Sequence, residues 1–227
     1  MYSIANIRQQ ISDRGFYVGN VIEDLVTPHN KKDFEYQRQQ AIKESFNTDN
    51  LFYMSCIAGL EGNAYPINLS YSQIEERRTL IKEKNFQINQ QWHYFGNESL
   101  SWWNDFVTPV LKTLYTPTSG RFRFDSRFSL YKNGDFTDNH RDSAMPTRFC
   151  AVLLYLTDES EYNDGGGEIV LYNSNTEIGK TAVLPLFPTY IILDIKNHSL
   201  HHEVLPVKND FSRLAFLSFV HEWEGWP

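Results

Sequence analysis

The chain has 227 residues, 41% of them hydrophobic, 15% aromatic and 22% charged, enough apolar material for a substantial core. No apolar run approaches the roughly eighteen residues that a membrane-spanning helix needs, and a formal charge of -7 argues against general binding to nucleic acid or anionic lipid. The 16 Phe, 13 Tyr and 5 Trp exclude a disordered chain and favour strands, where aromatic side chains pack well.

The two cysteines, Cys56 and Cys150, lie far apart, and Met1 to Asn6 is no basic stretch leading into an apolar one, so a cytoplasmic protein is expected. No repeat, low-complexity tract or linker divides the chain. A single domain over 1–227 follows, with a mixed α/β part at 1–120 packing on a β-rich part at 121–221.

Ile4, Ile7 and Ile11 share one helical face, and Gly15 should stop that helix before a short strand at Phe16-Tyr17-Val18. Helices are predicted over 30–46 and 72–84, the second with Ser72 and Glu75 at capping-box spacing. Ser99 is expected to cap a third, with Trp102, Trp103, Phe106, Val107, Val110 and Leu114 on its apolar face. Strands are predicted at 51–57 and 86–95.

From about residue 121 the texture changes to β-rich runs at 121–131, 148–157, 167–173, 181–195, 201–207 and 212–221. Pro188 divides the fourth, because proline cannot donate to a central ladder. The fold class is therefore mostly β with flanking helices, the strands forming a small antiparallel barrel or jelly roll.

Between the first two runs, His140-Arg141-Asp142 would put an imidazole and a carboxylate on one side of an extended backbone, a pair suited to one metal ion but also to a surface ion pair. The kinase catalytic loop shares His-Arg-Asp but needs Asn where this chain has Thr147. Further along, Ser199 to Val207 offers His201 and His202. Alternation sets His202 and Val204 on one face and His201 with Glu203 on the other. Arg213 then interrupts an apolar strand, and a charged head entering a barrel core needs a partner, which an anionic ligand would supply. Tyr155 reads equally as a core aromatic, and Gly165-Gly166-Gly167 as a hairpin turn.

Taken in order, Tyr131 and Gly134 before His140, Leu153-Leu154-Tyr155-Leu156-Thr157, Gly165-Gly166-Gly167-Glu168, His202-Glu203-Val204 with Pro206-Val207, and Arg213 resemble the landmarks of the prolyl-4-hydroxylase-like branch of the iron(II), 2-oxoglutarate-dependent oxygenases. The resemblance covers about 121–221. It implies a double-stranded β-helix, a cupin-like jelly roll, in which His140, Asp142 and His202 bind Fe(II). It favours His202 over His201, since the family histidine directly precedes Glu-Val. It implies that Arg213 and Tyr155 hold the distal carboxylate of 2-oxoglutarate, with Tyr131 near the metal-proximal end or the substrate. Dioxygen is the remaining cosubstrate.

The implied activity is hydroxylation of an unactivated C–H bond in an amino acid, a peptidyl (prolyl-type) residue or a small metabolite, with release of succinate and CO2. Asp142 favours this over halogenation, because halogenating members carry a small residue there. A non-catalytic cupin-like metal-binding or sensor module is the alternative from another class, and an isomerase or dioxygenase without 2-oxoglutarate the alternative among enzymes. A small-molecule or peptide substrate is expected, and neither nucleic acid nor membrane. Arg121, Arg123, Arg127, Arg141 and Arg148 crowd the expected mouth, either to attract a carboxylate-bearing substrate or as a solvated face paired with Asp125, Asp135 and Asp138.

Overall fold

The computed structural model describes residues 4–45, 51–57, 63–66, 88–95, 98–142, 147–172, 179–198 and 200–223. Helix α1 (Ile4–Arg14) buries Ile7 and Ile11, while Ile4 is 43% exposed, so the apolar stripe is shorter than its isoleucine spacing suggests. Gly15, at φ +83°, ends it by donating its N–H to the Ile11 carbonyl at 2.8 Å, a left-handed cap that glycine adopts without strain. Strand β1 (Phe16–Asn20) follows, and the Asn20 side chain accepts from the Ile22 and Glu23 N–H groups to start the short α2 (Val21–Asp24).

Next come α3 (Lys31–Ser45), β2 (Leu51–Ile57), β3 (Asn63–Pro66), β4 (Ile88–Phe95) and α4 (Glu98–Leu114). The helix expected over 72–84, with Ser72 and Glu75, falls outside the described residues. Because α4 already begins at Glu98, Ser99 belongs to its first turn and is not the cap expected of it. No helix among the described residues is long and apolar enough to cross a membrane.

Eight strands complete the chain: β5 (Phe122–Tyr131), β6 (Phe136–Arg141), β7 (Arg148–Tyr155), β8 (Ile169–Tyr172), β9 (Lys180–Val183), β10 (Thr189–Asp194), β11 (His201–Val204) and β12 (Arg213–Glu222). Pro188 does divide the run between β9 and β10. These strands pair antiparallel and fall into two layers. One holds β10, β7, β12 and β5, extended by β1 at one edge; the other holds β6, β11, β8 and β9. Successive strands from β5 to β12 alternate between the layers except at the β8–β9 hairpin, the pattern of a double-stranded β-helix. Strand β4 pairs with both, through 92–95 to β5 and through 89–90 to β6.

The period of two along β12 decides which core each side chain joins. Leu214, Phe216 and Val220 point to the helices, against Trp103, Val107 and Leu111 of α4. Ala215 and Phe219 point between the layers, with Leu153 and Tyr155 of β7 and Val204 of β11. Strand β7 is covered on both faces and is apolar from Phe149 to Leu154 for that reason.

Trp103, fully buried, stacks on Phe216 at 5.7 Å and 9° between planes, and also on Phe106. The helical aromatics therefore form core on the outer face of the large sheet. Trp103→Ala is expected to cost about 3–5 kcal/mol, read as a lowered denaturant midpoint by circular dichroism. A loss below about 1 kcal/mol would show that α4 contributes little to the sheet.

Candidate active site

The small sheet brings the three metal-type donors together. β11 runs antiparallel to β6 with His202 directly opposite His140, and Asp142 follows just after β6. The His140 Nε2 lies 3.9 Å from Asp142 Oδ1, and the His202 Nε2 lies 3.8 Å from Oδ2. All three ligand atoms fall within 4.8 Å of one another. The His140 Nδ1 is 2.8 Å from the Asp138 carbonyl, which can only accept, so Nδ1 carries the proton and Nε2 presents its lone pair toward Asp142.

Burial is the main cause lowering the His202 pKa to about 4, with the Asp142 carboxylate opposing and His140 assisting, so this imidazole is neutral at pH 7 and free to coordinate. Two imidazoles and one carboxylate suit iron(II) with open positions left for other ligands. His201 is exposed and bonds to Asn139 Oδ1 at 2.8 Å, away from the cluster.

The large sheet brings up the cation. Arg213, the first residue of β12, is 1% exposed. Its Nε donates to the Gly167 carbonyl at 2.8 Å and its Nη2 to the Tyr155 hydroxyl at 3.0 Å, while the guanidinium lies 4.6 Å over the Tyr131 ring. Among the described residues no carboxylate forms an ion pair with it. A buried guanidinium satisfied only in part by neutral acceptors retains donors for an anion. Burial raises the pKa of both Tyr131 and Tyr155, with Arg213 opposing, so both are neutral hydroxyls at pH 7. The Tyr131 hydroxyl is bonded to Thr137 Oγ1 at 2.8 Å.

One pocket, about 490 Å³ out to its open mouth, holds both groups. Arg213, Tyr131 and Thr137 line it together with His140, Asp142 and His202. Tyr155 closes the floor behind Arg213, fully buried.

Alternation alone misses Thr137, because it lies three residues from His140 and should face away. The ladder between β6 and β11 slips, with His202 opposite His140 but Val204 opposite Thr137, so one extra residue on β6 turns Thr137 inward. Gly167, expected in a hairpin turn, instead follows Gly166, which bridges to Val207, on the way into β8. At φ +74° it offers its carbonyl to Arg213, and a Cβ there would lie 3.0 Å from Val207 Cγ2 and 3.2 Å from Arg213 Cδ. Its place at the end of a glycine triplet was the available signal. Asp135 is buried and accepts from the Lys132 N–H at 2.8 Å in the tight turn before β6.

Residues 126–221 match the model of the 2OG-Fe(II) oxygenase superfamily. No curated protein matches the chain at a significant level. Among solved structures the chain is similar to a prolyl hydroxylase from Trichoplax adhaerens in complex with a hypoxia inducible factor oxygen degradation domain peptide fragment, at 16% identity and TM-score 0.62 over 96% of this chain and 89% of that one. It is similar to a prolyl-4-hydroxylase from Pseudomonas putida, at 13% identity and TM-score 0.58 over 96% and 98%. It is also similar to SnoN, a non-heme alpha ketoglutarate dependent epimerase from nogalamycin biosynthesis, at 9% identity and TM-score 0.58 over 96% and 80%. At such identities these likenesses carry the fold, and the family match falls on the strands that bear the donor cluster and Arg213. Residues 126–221 thus carry the match to the 2OG-Fe(II) oxygenase superfamily, enzymes that use iron(II), 2-oxoglutarate and dioxygen.

Proposed function

We propose that the chain works as one domain and hydroxylates an unactivated C–H bond of an amino acid, a peptidyl residue or a small metabolite. His140, Asp142 and His202 hold the iron, and Arg213 holds the distal carboxylate of 2-oxoglutarate. When bound, iron(II) and 2-oxoglutarate supply the oxidation of the substrate by dioxygen, with release of succinate and CO2. The observation that carries this reading is Arg213, a buried cation without a carboxylate partner among the described residues, in the same pocket as the donor cluster.

Each residue has a defined task. The Arg213 fork pairs with one carboxylate in a fixed plane, helped by the Tyr155 hydroxyl. The Tyr131 ring covers the guanidinium and, with Leu153 and Ile169, keeps water from that end of the pocket. The Asp138 carbonyl holds the His140 ring so that Nε2 faces the metal position.

A metal-binding module without turnover has no use for a buried carboxylate anchor, which favours the enzyme. The carboxylate of Asp142 fills the position that a halide would need, which favours hydroxylation over halogenation. Cys150 is a free, buried thiol, in keeping with a reducing cytoplasm.

Addition of iron(II) and 2-oxoglutarate under anaerobic conditions is expected to give the weak visible charge-transfer band of the metal chelate. A folded protein that gives no band would move the assignment to the non-catalytic metal-binding module.

A further inference from the structure

Of the five arginines near the mouth, Arg121, Arg123 and Arg141 are exposed on the surface. Arg127 instead enters the pocket that holds the donor cluster. It sits on β5 opposite Leu217, with its guanidinium 5.0 Å from the centre of the Phe219 ring, and Arg148 lies on that ring at 4.2 Å. Its Nε is sealed from solvent without a hydrogen-bond partner, and among the described residues no carboxylate forms an ion pair with it. Burial lowers its pKa from the usual arginine value, opposed by Asp125 and Asp142 acting through space, and Arg148 lowers it further. A half-buried guanidinium in a pocket wall, with one donor sealed and unpaired, is stabilised by an anion placed against it.

The cosubstrate does not account for this charge. Iron(II) is balanced by Asp142 and the metal-side carboxylate of 2-oxoglutarate, and the distal carboxylate is balanced by Arg213. The positive charge of Arg127 remains. Arg213 and Leu217 are four residues apart on β12, about 13 Å at the strand rise, so Arg127 enters the pocket from a different level of the barrel than Arg213. The Phe219 ring beside Arg127 adds an apolar wall for the carbon skeleton of a bound acid.

Resting on the oxygenase reading, we infer that Arg127 binds the carboxylate of the primary substrate. The substrate class is then a small free acid such as an unblocked amino acid, not an internal residue of a peptide chain. The acid lies with its carboxylate on Arg127 and its skeleton along Phe219, which turns its carbon–hydrogen bonds toward the donor cluster.

The test uses the anaerobic protein loaded with iron(II) and 2-oxoglutarate, with free L-amino acids and short monocarboxylates as probes, each beside its primary amide. At least one free acid is expected to raise the melting temperature and perturb the chelate band, and its amide to do neither. Arg127→Met is expected to weaken that acid by at least about tenfold, the loss of one charge-assisted contact. Arg127→Lys should restore part of the response, because it keeps the charge without the fork. Without any acid, Arg127→Met should melt no lower than the wild type, since it removes a buried donor that has no partner.

Three results would overturn the assignment. They are a lower melting temperature for Arg127→Met alone, which marks a structural arginine; a tenfold loss of 2-oxoglutarate affinity in that variant, which makes the carboxylate the cosubstrate's own; or no acid distinguished from its amide. Absence of the chelate band in the wild type is a different failure and strikes the oxygenase reading itself.

Discussion

His202→Ala is expected to abolish iron-dependent succinate formation while leaving the fold intact. His202 is one of only three donors in the cluster, and its strand partner His140 and Asp142 cannot hold iron firmly as a pair. The loss should exceed the roughly 10- to 100-fold typical of residues that merely orient a ligand. His140→Ala and Asp142→Ala should behave alike, whereas His201→Ala removes only an exposed bond to Asn139 and should be mild. Iron retained after anaerobic reconstitution and desalting, together with succinate release, measures all four. If His201→Ala loses iron and His202→Ala keeps it, the β6–β11 register is wrong by one residue.

Replacement of Arg213 should strike the cosubstrate without removing the metal. Arg213→Leu takes away a charge-assisted pair in a water-poor pocket, a loss of about 2–5 kcal/mol, so 2-oxoglutarate should bind more than tenfold more weakly. Arg213→Lys keeps the charge but not the planar fork and should fall between the two. Tyr155→Phe removes one neutral hydroxyl partner, worth about 0.5–1.5 kcal/mol. Titration of 2-oxoglutarate by tryptophan quenching gives the affinities, and melting curves check folding, since Arg213→Leu also strips a donor from the Gly167 carbonyl. Unchanged affinity in a folded Arg213→Leu protein would make Arg213 a structural residue and remove the chief support for the cosubstrate site.

Much of this was legible in the residues because β strands write their burial at a period of two. The run from Arg213 to Phe219 separates by parity into a helix-facing set and an interior set, and the same parity puts His202 rather than His201 at the cluster. Legibility failed where the parity breaks. Thr137 reaches Tyr131 only because the ladder slips beside it, and nothing in its local sequence announces the extra residue. Gly165 to Gly167 read as a hairpin turn, yet Gly166 bridges to Val207 and the strands on either side, β7 and β8, do not pair; the contact of the Gly167 carbonyl with Arg213 spans 46 positions and is a property of the closed barrel. The five arginines are indistinguishable by composition and spacing. What separates Arg127 from Arg123 is the depth at which each emerges along β5, and Arg121 precedes that strand.

The donor cluster and the cationic anchor belong to different layers of the barrel. His140 and His202 are carried by the small sheet, and Arg213, Tyr155 and Tyr131 by the large one, with β4 hydrogen-bonded to each. On the proposed reading, a molecule gripped at once by the cluster and by Arg213 acts as a rivet between two plates otherwise joined by side-chain packing, by β4 and by the Tyr131–Thr137 hydrogen bond. Occupancy of the pocket is then thermodynamically linked to the integrity of the whole barrel, and the free energy of binding resists separation of the sheets as well as release of the guest.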